Sequence, residues 1–172
     1  MKQILIASVE DKPGVLNRVA SLFRRRNFNI ESLVVGHSEL PGVSRMTIVT
    51  DEVEHLRRSI VRSNLVKLVN VIDVDDVTDV PCVVRETALI KVAADAAKRR
   101  EVMDFAEMYR ARIVDVANES LIVEITGESS KIDALVEVLS PIGINEIMRT
   151  GKIAMRRGSI TPRADGTYTN GK

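Results

Sequence analysis

The chain repeats one order of strand-like and helix-like segments, and this repeat restricts its fold more than any other feature of the sequence. In the first copy, "KQILIASVE" is dominated by β-branched and apolar residues and predicts a strand. A helical pattern follows from Pro13, and "FNIESLVVGHS" and "VSRMTIVT" then predict two strands around the turn "ELPG". With a second helix and the strand "LVKLVNVIDVDDV", the order is β-α-β-β-α-β, which is typical of a ferredoxin-like unit.

The spacing of apolar residues predicts both helices of this first copy. One face of the first helix carries Val15, Leu16, Val19, Leu22 and Phe23. The second helix has a stripe of Val53, Leu56 and Ile60. Asp11 is placed to cap the start of the first helix, and Pro13 suits its first turn. Asn27 tolerates a left-handed conformation at the end of that helix.

The second half of the chain repeats the same order. "ETALIKVAA" alternates like a strand, and the helix after it carries the apolar stripe Val102, Phe105, Ala106 and Tyr109. "RIVDVA" and "SLIVEIT" predict two strands, and "SSKIDALVEVLSP" predicts a helix with a capping box at Ser130 and Asp133. The segment "GINEIMRTG" supplies the last strand. We therefore predict an α+β fold of two tandem ferredoxin-like βαββαβ domains.

Changes in pattern set the predicted domain boundaries. The first domain covers residues 1–78, and Pro81 interrupts the pattern within a linker at 79–84. The second domain covers residues 85–158. From there, "SITPRADGTYTNGK" is polar and rich in turn residues, and we expect a disordered tail over residues 159–172.

Composition and charge argue against several classes of protein. The 172 residues carry a formal charge of +1, so no strong overall field attracts nucleic acid or a membrane surface. No apolar run approaches the roughly 18 residues that a spanning helix needs, and the first residues do not resemble a signal peptide. We therefore expect a cytoplasmic protein. One cysteine, Cys82, and two histidines, His37 and His55, support neither a disulfide framework nor a metal site.

Catalytic patterns are missing from the sequence. It contains no Gly-rich phosphate loop followed by Lys-Ser or Lys-Thr and no nucleophile-elbow motif. Cys82 follows a proline in the linker, and we interpret it as incidental; His37 and His55 are interpreted as ordinary surface histidines. Asp75 and Asp76 are adjacent in a strand, so their side chains point to opposite faces and form no acid/base pair. We predict no catalytic residue in this chain.

One segment favours the binding of a small amino acid. Asp11 and Gly14 belong to a strand-turn-helix junction, where the amides at the helix start suit a carboxylate and a glycine lets a ligand approach the backbone. Asp11 or Asn29 suits an ammonium group, and an aliphatic side chain would contact the apolar residues Val15, Leu16 and Ile30. An ordinary helix start explains the same Asp-Lys-Pro-Gly segment without any ligand.

These strings also resemble a known family. The stretch "EDKPGVLNRVASLFRRRNFNIESL" resembles the opening of ACT domains, and "RRRNFNIESLVV", "SRMTIVT" and "LVKLVNVIDV" resemble the regulatory small subunit of acetolactate synthase, also called acetohydroxyacid synthase. The second half, especially "IVDVANESLIVEITGESSKIDALVEVLSPIGINEIMRTGKIAMRRG", resembles the C-terminal domain of that subunit. The resemblance extends over nearly all of the chain to residue 158.

The resemblance implies a regulatory subunit without a reaction of its own. It implies binding to the large catalytic subunit, which carries thiamine diphosphate, Mg and FAD, with activation of that subunit and feedback inhibition by valine or another branched-chain amino acid. It also implies a homodimer, or a higher oligomer, paired through the ACT domain. The effector would lie between Asp11, Gly14, Val15 and Leu16 of one protomer and Asn29 and Ile30 of the other.

Two departures from the family pattern are visible, and two rival functions stay open. The family usually has Asn at the position of Asp11 and Gly at that of Asn27; an aspartate accepts a hydrogen bond from an ammonium but repels a carboxylate at close range. The first rival is a free-standing amino-acid sensor of tandem ferredoxin-like domains acting on another partner. The second is an acylphosphatase-like hydrolase using Asn17 and Arg18, although the glycine-rich phosphate cradle is missing.

Overall fold

The computed structural model describes residues 2–51, 55–158, 160–162 and 168–170 of the chain. Contacts between Cα atoms divide the chain into two compact units. The first unit contains Met1–Val83 together with Lys152–Lys172, and the second contains Val84–Gly151. Among the described residues, no helix combines the length and the apolar character needed to cross a membrane.

The first unit has the predicted ferredoxin-like order of elements. They are β1 (Gln3–Glu10), α1 (Val15–Arg25), β2 (Ile30–His37), β3 (Val43–Thr50), α2 (His55–Val66) and β4 (Val71–Asp76). The sheet has the strand order β2-β3-β1-β4, and all neighbouring strands are antiparallel. Its core combines alternate residues of the strands with one face of each helix: Leu5, Ala7, Val9, Val15, Val19, Phe23, Met46, Ile48, Val61, Leu65, Val71 and Val74.

The register of this sheet fixes which chain ends lie together. Thr50 of β3 pairs with both Gln3 and Ile30, so β1 and β2 begin at the same end of the sheet. At the other end, Ser44 pairs with both Val9 and His37. Because β1 and β2 both run antiparallel to β3, the end of β1 and the start of β2 lie at opposite ends of the sheet.

At the ends of α1, one detail differs from the sequence-based expectation and one agrees with it. The helix begins at Val15, and its N-cap is Gly14 with a left-handed φ of 85°, without a side-chain cap. The predicted cap by Asp11 is therefore wrong, because its carboxylate bonds to the side chain of Ser44 instead. The expected left-handed conformation of Asn27 is confirmed by its φ of 55°.

The buried face of α2 also differs from the predicted stripe. Val61 and Leu65 are fully buried, whereas Ile60 is 40% exposed. Adjacent apolar residues differ by about 100° around a helix, so Ile60 and Val61 cannot both face the core. Val53 and the side chain of Leu56 lie outside the described part of the chain.

The second unit repeats the topology of the first. Its elements are β5 (Cys82–Ala93, whose first two residues belong to the first unit), α3 (Arg99–Met108), β6 (Arg112–Val116), β7 (Ser120–Gly127), α4 (Ser129–Leu139) and β8 (Ile144–Arg149). The strand order is β6-β7-β5-β8. The core is formed by Ala88, Ile90, Val92, Ala94, Val102, Ala106, Leu121, Val123, Ile125, Ile132, Leu135, Leu139 and Ile142.

The predicted capping box of α4 is wrong. The N-cap of this helix is Glu128, without a side-chain hydrogen bond to the helix. The carboxylate of Asp133 bonds to Arg149 at 2.6 Å, so it is engaged away from the helix start. A cap that the sequence reasoning missed precedes α3, where Asp95 accepts hydrogen bonds from the amides of Ala97 and Lys98. These two backbone hydrogen bonds lower the pKa of Asp95, and the bond from the amide of Lys98 has the larger effect.

The residues after β8 return to the first unit. We predicted residues 85–158 as one domain, but residues 152–158 group with the first unit, where Arg156 pairs with Asp75. This segment includes β9 (Ile153–Arg156), and the backbone amide of Arg157 donates to the carbonyl of Pro81 within the same unit. In the tail predicted as disordered, β10 (Ile160–Pro162) and β11 (Tyr168–Asn170) pair antiparallel, and residues 159, 163–167, 171 and 172 lie outside the described residues.

Candidate functional site

The loop that starts α1 leaves open space above its backbone. Gly14 has a φ of 85°, and a Cβ added there would have no heavy atom within 4 Å. The first amides of a helix have no partners within the helix, so this loop can face the carboxylate of a small ligand. Leu16 is 47% exposed beside it, while the side chain of Val15 is buried in the core. Of the predicted apolar contacts here, Leu16 is therefore the accessible one.

Asp11 directly follows β1 and is joined to three residues of the β2–β3 hairpin. Its Oδ1 accepts a hydrogen bond from Ser44 Oγ at 3.1 Å, and its Oδ2 lies 3.3 Å from His37 Nδ1. The backbone amide of Asp11 donates to the carbonyl of Gly42 at 2.8 Å. Sequence reasoning treated His37 as an ordinary surface residue, because its closeness to Asp11 depends on the register of the hairpin.

Asn29 lies just before β2, where it contacts a second carboxylate. Its Nδ2 donates to Asp51 Oδ2 at 2.6 Å, and this bond is the main cause that lowers the pKa of Asp51; a side-chain hydrogen bond with Glu31 adds to it. Ile30 is half-buried and packs against the core of the first unit. Asp51 was not among the predicted site residues, because it is 22 positions from Asn29 and only strand pairing brings them together.

The structure does not bring the two predicted halves of the site together within one protomer. Asp11 and Gly14 lie at the end of the sheet where His37 pairs with Ser44, and Asn29 lies at the end where Ile30 pairs with Thr50. Ser44 and Thr50 are six positions apart along β3, so these two ends of the sheet are about 20 Å apart at the usual rise per residue. A single amino acid cannot contact both halves of one copy.

A cavity of about 270 Å³ lies elsewhere in the first unit, next to α2. It is lined by Arg58, Ser59, Arg62, Asp76, Asp79 and Val80. Arg58 pairs with Asp79 at 2.8 Å, and the two arginines and two aspartates balance in charge. None of the predicted site residues lines this cavity, and the part of the chain that the structure describes contains no cluster of three metal-ligating side chains.

Comparison with known proteins gives one consistent family. Residues 5–73 match a family model described as "AHAS small subunit-like ACT domain", and residues 85–158 match "Small subunit of acetolactate synthase". The acetolactate synthase small subunit of Bacillus subtilis is 45% identical over 164 residues, which is 92% of both chains. The corresponding protein of Mycobacterium bovis is 50% identical over 159 residues and again 92% of both.

A solved structure agrees with these sequence matches. The crystal structure of the small subunit of acetolactate synthase from Thermotoga maritima superposes with a TM-score of 0.86 at 39% sequence identity. The match covers 92% of this chain and 99% of that one. The similarity therefore includes both ferredoxin-like units.

Proposed function

This chain belongs to the family of acetolactate synthase small subunits, and we propose that it activates the catalytic large subunit and makes that subunit sensitive to valine or another branched-chain amino acid. The observation that supports this proposal is the position of Gly14 and Asn29 at opposite ends of one sheet in which β2 is an edge strand. Thiamine diphosphate, Mg and FAD belong to the large subunit in this proposal. The role of the present chain is binding and regulation in the synthesis of branched-chain amino acids.

A second copy can complete the site through β2. This strand lies at the edge of the sheet, with β3 as its paired neighbour. Its stretch Ser32–Leu33–Val34–Val35–Gly36 contains no charge and no proline, the residues that usually protect an edge from pairing. Antiparallel pairing of β2 with its copy would place Ile30 of one protomer near His37 of the other. Gly14 and Asn29 of different protomers would then lie at the same end of the joint sheet, in two equivalent sites.

Each half contributes a different part of amino-acid recognition. The helix start at Gly14 provides amides and the positive end of a helix dipole for a carboxylate. Asn29 has two donors and an acceptor in its amide, and its bond to Asp51 uses one donor. The remaining acceptor suits the ammonium group, and Leu16 and Ile30 suit a short aliphatic side chain. Asp11 carries a negative charge close to this site, which disfavours a carboxylate and makes the effector affinity sensitive to its bonds with Ser44 and His37.

Regulation follows from linkage between effector binding and pairing. An effector that bridges two protomers stabilises one arrangement of the pair, and the large subunit responds if it binds the two arrangements with different affinities. No reaction step within this chain is needed.

The proposal is tested by measuring acetolactate formation by the large subunit of the same source, with and without this chain, across a valine titration. We expect stimulation by the chain and its reversal by valine, with leucine and isoleucine as parallel titrations. Stimulation without any amino-acid response would reject the effector part. No stimulation, together with direct amino-acid binding by the isolated chain, would favour the free-standing sensor.

Replacement of Asn29 by alanine is expected to weaken feedback at unchanged stimulation. Hydrogen bonds to charged groups contribute about 1.5–3 kcal/mol, so the valine concentration for half-inhibition is expected to rise at least about ten-fold. Asn118→Ala is the matched control, because Asn118 is an exposed asparagine in the turn between β6 and β7 of the second unit. Equal half-inhibition values for Asn29→Ala and the control, in folded proteins, would exclude Asn29 from the site.

A further inference from the structure

Residues 152–157, here called the strap, are attached to both edge strands of the first unit. At one end, the backbone amide of Lys152 donates to Ser32 Oγ on β2 at 2.9 Å. At the other end, the guanidinium of Arg156 bonds to both carboxylate oxygens of Asp75 on β4. The span from residue 152 to 156 is about 13 Å at the usual strand rise, close to the roughly 14 Å across three strand spacings from β2 to β4. The strap therefore crosses the sheet.

The strap lies on the sheet face that α1 and α2 leave uncovered. Arg45 of β3 donates to the backbone carbonyl of Ala154 in the middle of the strap, at 3.5 Å. Ile6 and Thr47 form a pair on this face, since their neighbours along the strands point into the helical core. Both are only 4% exposed, and Ala154 is 6% exposed. The face is therefore covered, and the strap has bonds to side chains on three of the four strands.

The strap end on β2 contacts the segment of the chain that directly follows Asn29. Lys152 Nζ lies 3.9 Å from Glu31 Oε1, which Lys2 also contacts at 2.6 Å. Glu31 lies at the bulge at the start of β2, two residues after Asn29. Asn29 itself donates a hydrogen bond to Asp51. Two contacts of Lys152, with Glu31 and Ser32, therefore attach the strap to the segment of β2 that directly follows Asn29.

We propose that the strap holds the start of β2 in the arrangement that presents Asn29 to the effector, so that strap docking and effector binding are coupled. The inference rests on the proposed function, because it assumes that the half-site at Asn29 binds the effector. Its physical basis is reciprocity: if an undocked strap lowers effector affinity, a bound effector favours the docked strap by the same factor. Arg156 and Asp75 allow a clean test, since Asp75 lies on β4, three strands from β2.

The test is a charge swap of this ion pair in the complex with the large subunit. Arg156→Asp and Asp75→Arg each place like charges together and are expected to release the strap, and the double variant restores opposite charges. For each single variant we expect the valine concentration for half-inhibition to rise at least about five-fold, the lower end of typical coupling factors. We also expect faster amide hydrogen exchange in β2 without valine. Both changes should be largely reversed in the double variant.

Arg157→Asp is the matched control, because it makes the same charge change at an exposed neighbouring residue. Single variants that equal this control in both half-inhibition and exchange of β2 would overturn the inference. A single variant that does not fold is replaced by Ser32→Ala, which removes the bond at the other end of the strap. If the unchanged complex ignores valine, the proposed function fails and the coupling fails with it, whereas hydrogen exchange still decides whether the strap holds β2.

Discussion

Gly14→Asp is expected to abolish feedback inhibition while leaving stimulation of the large subunit intact. The new carboxylate would lie where the proposed site holds the effector's own carboxylate. Two like charges about 4 Å apart at an effective dielectric constant of about 20 repel by about 4 kcal/mol. We therefore expect the valine concentration for half-inhibition to rise at least about a hundred-fold. The measurement is acetolactate formation across a valine titration, together with calorimetric binding of valine to the isolated chain.

The strained backbone at Gly14 needs a control of its own. Its φ of 85° is unfavourable for most L-residues, although Asn and Asp tolerate this region better than others. Gly14→Asn therefore matches Gly14→Asp in size and backbone preference but adds no charge, and the open space at this position accommodates either side chain. We expect the Asn variant to keep most of the inhibition. Equal loss of inhibition in both variants would contradict a carboxylate-binding role for this loop.

Arg149→Leu is expected to destabilise the second unit by about 3–5 kcal/mol, the usual cost of removing one partner of a buried ion pair. Glu86 is only 5% exposed, and the guanidinium of Arg149 bonds to its carboxylate. This contact, followed by the bond to Asp133, raises the pKa of Arg149. Urea unfolding is followed by tyrosine fluorescence in a Tyr168→Phe background, which leaves Tyr109 as the one tyrosine of the sequence; because Tyr109 packs against the core of the second unit, the signal reports this unit separately.

Two further variants separate the buried pair from its exposed branch. The double variant Glu86→Leu with Arg149→Leu leaves no buried unpaired charge, since Asp133 is exposed, and should recover most of the lost stability. Asp133→Ala removes the partner that is 60% exposed, and we expect a change of less than about 1 kcal/mol. A loss from Asp133→Ala as large as that from Arg149→Leu would show that the buried carboxylate is not the cause.

The repeated order of elements was predictable because hydrophobic periodicity is a local property of the sequence. β-branched strands and helical stripes define both βαββαβ units, and the structure confirms this order in each. The stripe of α3 is also confirmed, with Val102 and Ala106 buried. The rotation of α2 was not predictable in the same way, since Ile60 and Val61 are adjacent and both apolar. Only the packing of the whole unit decides which of the two is buried.

Polar side chains were predicted less well, because their partners come from distant parts of the chain. Asp11 and Asp133 both match local capping patterns, yet they bond to Ser44 on β3 and Arg149 on β8, which are 33 and 16 positions away in the sequence. The return of the chain to the first unit after β8 was not predicted for the same reason. Arg156 and Asp75, which bond to each other there, are 81 positions apart, and no short sequence pattern links them. Residues that were predicted as site members are placed in two clusters, and their union in one site stays a prediction that requires a second copy.

If Gly14 and Asn29 of different protomers form one site, a mixed dimer of two variants can show it. One protomer carries Gly14→Asp and the other Asn29→Ala, each with its own purification tag, and valine binding to the isolated mixed dimer is measured by calorimetry. Either variant alone has a defect in both sites. If the halves come from different protomers, the mixed dimer contains one doubly altered site and one unaltered site, and it should bind one valine with the affinity of the unchanged protein. If each site lies within one protomer, both sites of the mixed dimer are altered, and binding no better than that of the parent variants would contradict the account.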